Sequence, residues 1–505
     1  MQASTQPSQG GADTESATPA PGTLDLSASE LDLGNTPLYN GEFESRFDSD
    51  LASLTTAPSR AVAQEGNLSL DQVLSPYVSV FCVAFAVAYV FTPIMRHVAI
   101  TFGIVDRPDS SRKLQKKPVA YLGGVAVFLG FVAALALGHF VAENHNPAVR
   151  NYLEVPLPIL LSACVIFLIG LLDDIKGLSP KLKIAGQVAA AVCLLSFGIG
   201  SGTGATGGIT DQFVAYTFER LYAIAHVDAP IFIEQGVTLA FNWGLVIALV
   251  VFCCNASNLM DGLDGLCGGV TSIIALGLVF VAVHLAMTGP TERAEMDAVR
   301  LVLAIALFGA VLGFLPFNFN PASIFMGDTG SLFMGFVIAV MLILLGEVGG
   351  KWMLGGLVMF SLPVLDTALA FTRRYVKGRP LFSADRFHFH HQLMNRTNSV
   401  KLAVVIAYGL TIFFVVSGCL LVFLRTRYAL AFYMVLFGCI IVAAYKVGMI
   451  HERATVDPAK EPAGKLRPAP SPTATTPTAS SAATNPSSEA DFDDSGSSPT
   501  PASAV

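Results

Sequence analysis

Acidic, amide and histidine side chains gather in four short segments, and each segment follows an apolar stretch of the sequence. Ionisable groups at the ends of apolar helices are costly to bury, and they usually mark functional sites. The side chains suited to chemistry are Asp173, Asp174 and Lys176 in the first segment, Asn255, Asn258, Asp261 and Asp264 in the second, Asn318, Asn320, Asp328 and Ser331 in the third, and Asp385, Arg386, His388, His390 and His391 in the fourth.

The spacing in the second segment favours a divalent cation. On a helix, a step of three residues falls about 60° short of a full turn, so Asn258 and Asp261 share a face with Asn255, while Asp264 lies further round. Carboxylate and amide oxygens suit Mg²⁺, which completes its shell with phosphates and water. Mn²⁺ accepts similar ligands and could substitute. Because no His and Cys ligand set accompanies these acids, the sequence does not predict a zinc site.

Each segment taken alone also has a structural interpretation. An Asp at a helix end is more often a cap than a catalyst, and the G-D-x-G-S pattern around Asp328 is a turn signal. A histidine-rich loop is usually solvated, although the histidines beside Arg386 could equally bind phosphate. A shared active site is therefore a hypothesis that requires the four segments to lie together.

The elements that must position these side chains are predicted to be membrane-spanning helices. Of the 505 residues, 53% are hydrophobic and 13% are charged, whereas soluble domains are about one quarter charged, so a water-soluble globular enzyme is disfavoured. A stretch of about 20 apolar residues crosses a bilayer as a helix. We predict an all-α polytopic membrane protein with about eleven spans, or ten if the short third is merged: 73–95, 120–142, 156–172, 181–199, 237–257, 267–287, 300–317, 331–347, 352–372, 402–424 and 428–448.

Lysine and arginine counts predict which ends of the spans face the cytosol. The loops at 100–119, 173–183 and 373–401 hold five, three and seven basic residues, and the alternate loops at 143–155, 200–236 and 288–299 hold one each. Basic residues accumulate on the cytosolic side. We therefore expect the N-terminus outside, the C-terminus in the cytosol, and all four polar segments on the cytosolic face of the membrane.

Two tails flank the predicted membrane domain of residues 73–451. Residues 1–72 carry eleven acidic and two basic residues, and residues 452–505 end in a Pro, Ser, Ala and Thr run. Both tails lack the apolar content that would offset the entropy of ordering, so we expect disorder in each. The acidic balance belongs to the tails, and nothing in the charge distribution supports nucleic-acid binding.

Five motifs resemble, in their order along the chain, the polyprenyl-phosphate N-acetylhexosamine-1-phosphate transferases of glycosyltransferase family 4. The resemblance covers about residues 100–395 and implies transfer of a sugar-1-phosphate from a UDP-sugar to a polyprenyl phosphate, with UMP as the other product. The motifs are Asp106-Arg107-Pro108 with P-V-A-Y-L-G-G (118–124), D-D-x-K (173–176), N-x-x-N-x-x-D-G-x-D-G-L (255–266), N-P-A-x-x-F-M-G-D-x-G-S (320–331) and D-R-x-H-x-H-H (385–391).

Two branches of that family differ in their motifs. The branch that uses UDP-N-acetylmuramoyl-pentapeptide has G-T-P-T-M-G-G in its first loop and H-H-H followed by Phe-Glu. This chain has P-V-A-Y-L-G-G and H-F-H-H-Q, and is most similar to the bacterial undecaprenyl-phosphate N-acetylglucosaminyl-1-phosphate transferases, which catalyse the first membrane step of a cell-envelope polysaccharide pathway. UDP-N-acetylmuramoyl-pentapeptide, or another UDP-N-acetylhexosamine, is the alternative donor. The long exterior segment 200–236 and both tails depart from the family pattern.

The resemblance implies a role for each candidate residue. Asp328 is expected to bind Mg²⁺ together with Asn258, and Asp261 or Asp264 should support them. Asp173 is the candidate base for the last proton of the lipid phosphate, or the Asp173-Asp174 pair only positions Mg²⁺ or a lysine; a covalent aspartyl intermediate stays open. The expected substrate-binding residues are Asn255, Lys113, Lys176, Ser331, Arg386, His388, His390 and His391. Lys113 could equally serve only the positive-inside rule.

Two rival classes fit the sequence less well. Transporters place charges near the bilayer midplane and often repeat their halves, whereas here the charges cluster at one face and no repeat is evident. A membrane scaffold would leave the acid-rich loops unused. The expected partners are therefore a UDP-sugar, a polyprenyl phosphate and the membrane, and a homodimer is left open.

Overall fold

The computed structural model describes residues 70–106, 118–145, 155–201, 220, 231–290, 293–376, 378 and 388–446. Both predicted tails lie almost wholly outside these residues, so the proposed domain boundaries stay predictions. The helices are α1 Leu70–Leu74, α2 Val78–Thr101, α3 Gly123–His145, α4 Leu157–Lys176, α5 Pro180–Ser196, α6 Ile231–Met260, α7 Leu266–Thr288, α8 Ala294–Asn318, α9 Gly327–Val348, α10 Gly350–Met359, α11 Ser361–Val376, α12 Phe389–Thr397, α13 Val400–Leu421 and α14 Thr426–Lys446. The short turn Ser75–Tyr77 is 3₁₀ helix, and β1 Val105–Asp106 pairs with β2 Val119–Ala120.

The all-α membrane fold is confirmed, because each of the eleven predicted segments coincides with helix, although 73–95 and 352–372 each extend over more than one helical element. In the described part of the chain, seven helices are long and apolar enough to cross a membrane, and the pair α10–α11 makes an eighth if it counts as one span. The apolar parts of α3 and α14 are shorter. The number of eleven spans and their orientation therefore stay predictions.

The segment predicted as one span at 352–372 is broken into α10 and α11, which meet at an angle of 74°. Pro363 lies in the first turn of α11. Proline has no N–H to donate to the carbonyl four residues earlier, and its ring crowds that carbonyl, so a continuous helix through Met359 is disfavoured. Because of the bend, α11 runs in a different direction from α10. Asp366, which lies in α11, contacts the histidine segment described below.

The core of the bundle is α9, which is apolar on all sides and buried from Thr329 to Gly346. Its N-terminal turn fits closely against α3 and α4 because both offer a glycine there. A Cβ on Gly124 would lie 2.1 Å from the backbone N of Gly330, and one on Gly170 would lie 2.6 Å from Cα of Thr329. The close approach of three helices fixes the place of Asp328, the second residue of α9.

Backbone hydrogen bonds join the loop before α3 to the loop before α9. Ala120 bridges Ile324, and the amide of Phe325 donates to the carbonyl of Ala120 at 2.8 Å. The amide of Gly123 donates in turn to the carbonyl of Phe325 at 2.9 Å. The P-V-A-Y-L-G-G and N-P-A-x-x-F-M-G-D motifs, far apart in sequence, therefore form one rigid frame at one end of the bundle.

Candidate active site

Asp328 lies at the centre of a polar cluster to which α4, α5, α6 and α9 each contribute. The ammonium group of Lys183 lies 2.6 Å from Oδ2 of Asp328 and 2.5 Å from Oδ2 of Asp173. The side-chain amide of Asn258 donates to Oδ1 of Asp328 at 2.8 Å and to Oγ of Ser331 at 3.0 Å. Four of the predicted site residues therefore converge with one lysine on a single point.

Asp174 points away from that point and caps the start of α9. Its carboxylate accepts hydrogen bonds from the backbone amides of Asp328 at 2.8 Å and Thr329 at 3.0 Å, and from the Thr329 hydroxyl at 2.5 Å. Gly327 has φ of +74°, and a Cβ there would lie 2.5 Å from Oδ2 of Asp174. These bonds give acceptors to backbone amides that have no partner within the helix, and the negative charge of Asp174 interacts favourably with the positive end of the helix dipole. The contacts support a positioning role for Asp174, and its predicted catalytic role stays a prediction.

Replacing Asp174 by alanine should lower stability, because the amides of Asp328 and Thr329 would lose their acceptor. We expect a loss of about 2 kcal/mol in the free energy of unfolding, in the range of a lost helix cap. Asp174→Asn keeps one acceptor oxygen and should lose less. Thermal melts of the detergent-solubilised variants measure the difference, and equal melting temperatures for wild type and Asp174→Ala would contradict the capping role.

Asp264 also serves the backbone frame. Its Oδ2 accepts from the side-chain amide of Asn320 at 2.9 Å and from the backbone amide of Ala322 at 3.0 Å. The neighbouring Gly265 donates its amide to Oδ1 of Asn318 at 3.1 Å. Asp264 thus fixes the loop before α9 against the loop after α6, and a direct role in catalysis stays a prediction.

Asp261 lies just beyond Met260, the last residue of α6. Burial, together with the negative charges of Asp328, Asp174 and Asp264, raises the pKa of Asp261 to about 8. A carboxyl group in this position is ready to ionise when a cation approaches. Asn255, one turn before Asn258, instead joins two helices, because its side-chain amide donates to Oε1 of Gln187 at 2.7 Å.

The histidine segment packs against the loop after α6. His388 precedes α12, and His390 lies in its first turn; both side chains are buried. A Cβ on Gly262 would lie 2.2 Å from Nε2 of His390, so the ring reaches the loop that holds Asp261. Burial and the neighbouring His390 and His388 lower the pKa of His391 to about 4, which keeps His391 neutral at pH 7.

The remaining predicted residues are not part of this cluster in the described structure. Lys176 is exposed in the last turn of α4. Lys113 and Arg386 lie outside the described residues, so their expected substrate contacts stay predictions. The sequence reasoning missed the site role of Lys183, which it counted only among the basic loop residues. The signal was Ser179-Pro180, a helix-start pattern that puts Lys183 in the first turns of α5, beside the end of α4.

The donor set fits a cation that takes few protein ligands. Oxygens of Asp173 and Asp328 converge on one positive charge, the Lys183 ammonium, and the side-chain NH₂ of Asn258 donates to the same Asp328 carboxylate. Among the described residues no group of three or more His, Cys, Asp or Glu side chains could hold a metal ion. Two converging carboxylates match Mg²⁺, which relies on substrate phosphates and water for the rest of its shell.

Comparison with known proteins places the cluster within a described family. Residues 156–346 match the model of glycosyl transferase family 4. The chain is 30% identical over 391 residues to the probable undecaprenyl-phosphate N-acetylglucosaminyl 1-phosphate transferase of Bacillus subtilis, covering 76% of this chain and 96% of that protein. It is 32% identical over 375 residues to the decaprenyl-phosphate N-acetylglucosaminephosphotransferase of Mycobacterium tuberculosis H37Rv, covering 71% and 84%.

A third relative represents the other donor branch. The phospho-N-acetylmuramoyl-pentapeptide-transferase of Bacillus cereus AH187 is 31% identical over 326 residues, covering 62% of this chain and 87% of that protein. Asp173, Lys183, Asn258 and Asp328 all lie inside the family match, whereas Asp366 and the histidines follow it.

Proposed function

Because the chain belongs to glycosyl transferase family 4, we propose that it transfers N-acetylglucosamine-1-phosphate from UDP-N-acetylglucosamine to a polyprenyl phosphate, in bacteria undecaprenyl phosphate. The products are polyprenyl-diphospho-N-acetylglucosamine and UMP. The observation that carries the proposal is the convergence of Asp173, Asp328 and Asn258 on Lys183, within the segment that matches the family. The B. subtilis and M. tuberculosis relatives support the donor and the class of lipid.

Phosphoryl transfer asks the protein mainly for positioning and for neutralisation of charge. The lipid phosphate and the donor diphosphate are both anionic, so they repel each other as they approach. Lys183 supplies a positive charge between Asp173 and Asp328, within reach of phosphate oxygens at this end of the bundle. In this proposal Asp173 takes the last proton of the lipid phosphate, and the histidine segment contacts the donor.

We propose that Asp328 and Asn258 hold Mg²⁺, with Mn²⁺ as a substitute, and that Asp173 and Asp261 support it. Bound Mg²⁺ would neutralise charge on the diphosphate oxygens. The converging carboxylates of Asp173 and Asp328 support the proposal, and so does Asp261, whose pKa is raised by burial and by the negative charges of three other acids.

The stability of metal-free protein should fall as the pH rises, because of Asp261. A carboxyl whose pKa is raised from 3.8 to about 8 on folding contributes stability at low pH, and this contribution is lost as the pH rises towards 8. We expect the melting temperature in EDTA to fall between pH 6 and pH 9, and Asp261→Asn to fall less. An identical slope for the variant would show that Asp261 is not the group responsible.

We further propose that the protein lies in the inner (plasma) membrane with this site facing the cytosol. The seven or eight helices long and apolar enough to span support a multi-pass protein. The basic residues Lys176, Lys181 and Lys183 lie at the helix ends beside Asp173, as basic residues do on the cytosolic side. That placement gives the site access to a water-soluble UDP-sugar and, between helices, to a lipid.

The donor is tested by UMP release from solubilised protein supplied with undecaprenyl phosphate, Mg²⁺ and one UDP-sugar at a time. We expect release with UDP-N-acetylglucosamine and none with UDP-N-acetylmuramoyl-pentapeptide. Release with the second donor alone would keep the chemistry and overturn the assigned sugar. Absence of release with either donor, from protein that melts cooperatively, would overturn the proposed function.

A further inference from the structure

Asp366 is a buried carboxylate whose described partners all come from the histidine segment. It lies in α11, just after the bend, and 2% of its surface is exposed. Its Oδ1 accepts a hydrogen bond from the backbone amide of Phe389 at 2.8 Å, and its Oδ2 lies 3.0 Å from Nδ1 of His390. Its Oδ1 also lies 3.4 Å from Nδ1 of His388. A buried carboxylate is costly unless it is hydrogen-bonded, and here three residues in a row supply the partners.

The contact with Asp366 determines how His390 faces the site. A carboxylate accepts a hydrogen bond from Nδ1–H, so the contact assigns a proton to Nδ1 and turns the Nε2 edge of the ring away from Asp366. That Nε2 lies against Gly262, where any Cβ would come within 2.2 Å. The ring is therefore held between a carboxylate on one side and a glycine of the Asp261 loop on the other.

The same carboxylate orders the neighbouring histidine. The rings of His388 and His390 are stacked with an interplanar angle of 4° and centroids 5.5 Å apart. The ring of His391 also lies close to that of His390, with ring centroids 4.4 Å apart. Asp366 therefore orients His390 and, through the ring contacts of His390, the other two histidines, although it precedes them by more than twenty residues in the sequence.

We propose that Asp366 is a positioning residue for the transfer reaction, which acts on the UDP-sugar through the orientation and tautomer of His390. This inference rests on the proposed function. Carboxylates that orient a histidine ligand in this way typically change affinity or activity about 10- to 100-fold when they are lost. The side-chain hydrogen bond that Asp366 makes in the described structure is to His390, whereas Nδ1 of His388, at 3.4 Å, has no hydrogen-bond partner there, so the effect of Asp366 should pass mainly through His390.

A double-mutant cycle between Asp366→Asn and His390→Gln tests the proposal. We expect each single variant to lower kcat/KM for the UDP-sugar about 10- to 100-fold, with a raised KM for the UDP-sugar and an unchanged KM for the polyprenyl phosphate. The double variant should be no worse than His390→Gln alone, because residues that act as one unit are not additive. Thr367→Val, which removes a neighbouring buried hydroxyl without a hydrogen-bond partner in the described structure, should keep wild-type activity.

The outcomes separate this inference from the proposed function. Losses that multiply in the double variant, or wild-type activity in Asp366→Asn, would overturn the positioning role while leaving transfer intact. A wild-type protein without transfer activity would be a failure of the proposed function instead. If Asp366→Asn melts below the assay temperature, the same cycle is run with Asp366→Glu, which keeps the carboxylate but moves it by one methylene; multiplying losses again overturn the role.

Discussion

Asp328→Asn is expected to lower kcat about 1,000-fold or more, the largest effect of any single substitution in this protein. Asn keeps the size of the side chain but removes the negative charge that faces Lys183 at 2.6 Å and that we propose binds Mg²⁺. Loss of a group that stabilises charge in the transition state costs 100- to 1,000-fold in other enzymes, and loss of a metal ligand adds to this. The rate of UMP release measures the effect.

The matched control for this variant is Glu347→Gln, which makes the same acid-to-amide change on the same helix. Glu347 lies about 28 Å along α9 from Asp328, where its Oε1 accepts a hydrogen bond from the amide of Gly200. We expect its turnover per folded molecule to match wild type. Near-normal turnover of the folded Asp328→Asn variant would contradict the proposal that Asp328 binds Mg²⁺.

Lys183→Met should lower kcat about 100- to 1,000-fold, comparable to the loss of one charge-stabilising donor. The substitution removes the positive charge that lies within 2.6 Å of both Asp173 and Asp328, so the two carboxylates would repel each other and the incoming phosphates. Methionine keeps much of the apolar stem, so packing of α5 should be retained. Steady-state UMP release, with both substrates varied, measures the loss.

Lys181→Met is the control, because Lys181 is an exposed lysine two residues earlier in the same helix. If Lys183 acts at the site, only Lys183→Met loses activity; if lysines here only add positive charge at the membrane surface, the two variants should behave alike. Similar losses in both variants would contradict the site role of Lys183.

The membrane fold was predictable from the sequence because the length and polarity of an apolar stretch are local properties. The eleven predicted stretches therefore coincide with helices. The bend between α10 and α11 was not predicted, although Pro363 was visible, because composition over about 20 residues does not register one missing hydrogen bond. Hydropathy also left the span count open, since several helices are short.

The convergence of Asp173, Asn258, Asp328 and Ser331 could be expected from the sequence. The loop charges predicted that the segments carrying these residues lie at the same end of the bundle. The pairing of Lys183 with Asp328, 145 residues apart, depends on how α5 and α9 rotate against each other, and no sequence pattern encodes that rotation. The same limit applies to Asp366 and His390.

The aspartates at this end of the bundle have different roles in the structure. Asp174 caps α9 and Asp264 fixes a loop, whereas Asp173 and Asp328 face Lys183. Because a capping Asp and a ligand Asp look alike in sequence, only their surroundings in the fold separate them.

The most direct test of the account identifies the nucleotide that leaves the donor. Solubilised protein is incubated with UDP-N-acetylglucosamine, undecaprenyl phosphate and Mg²⁺, and the nucleotide and lipid products are identified by chromatography and mass spectrometry. Transfer of the sugar-1-phosphate forms a bond from a lipid phosphate oxygen to the sugar-bearing phosphorus and breaks the bond from that phosphorus to the bridging oxygen, which leaves with UMP. We therefore expect UMP and a lipid diphospho-sugar in equal amounts. UDP with a lipid monophospho-sugar would contradict it, because the sugar alone would then have been transferred.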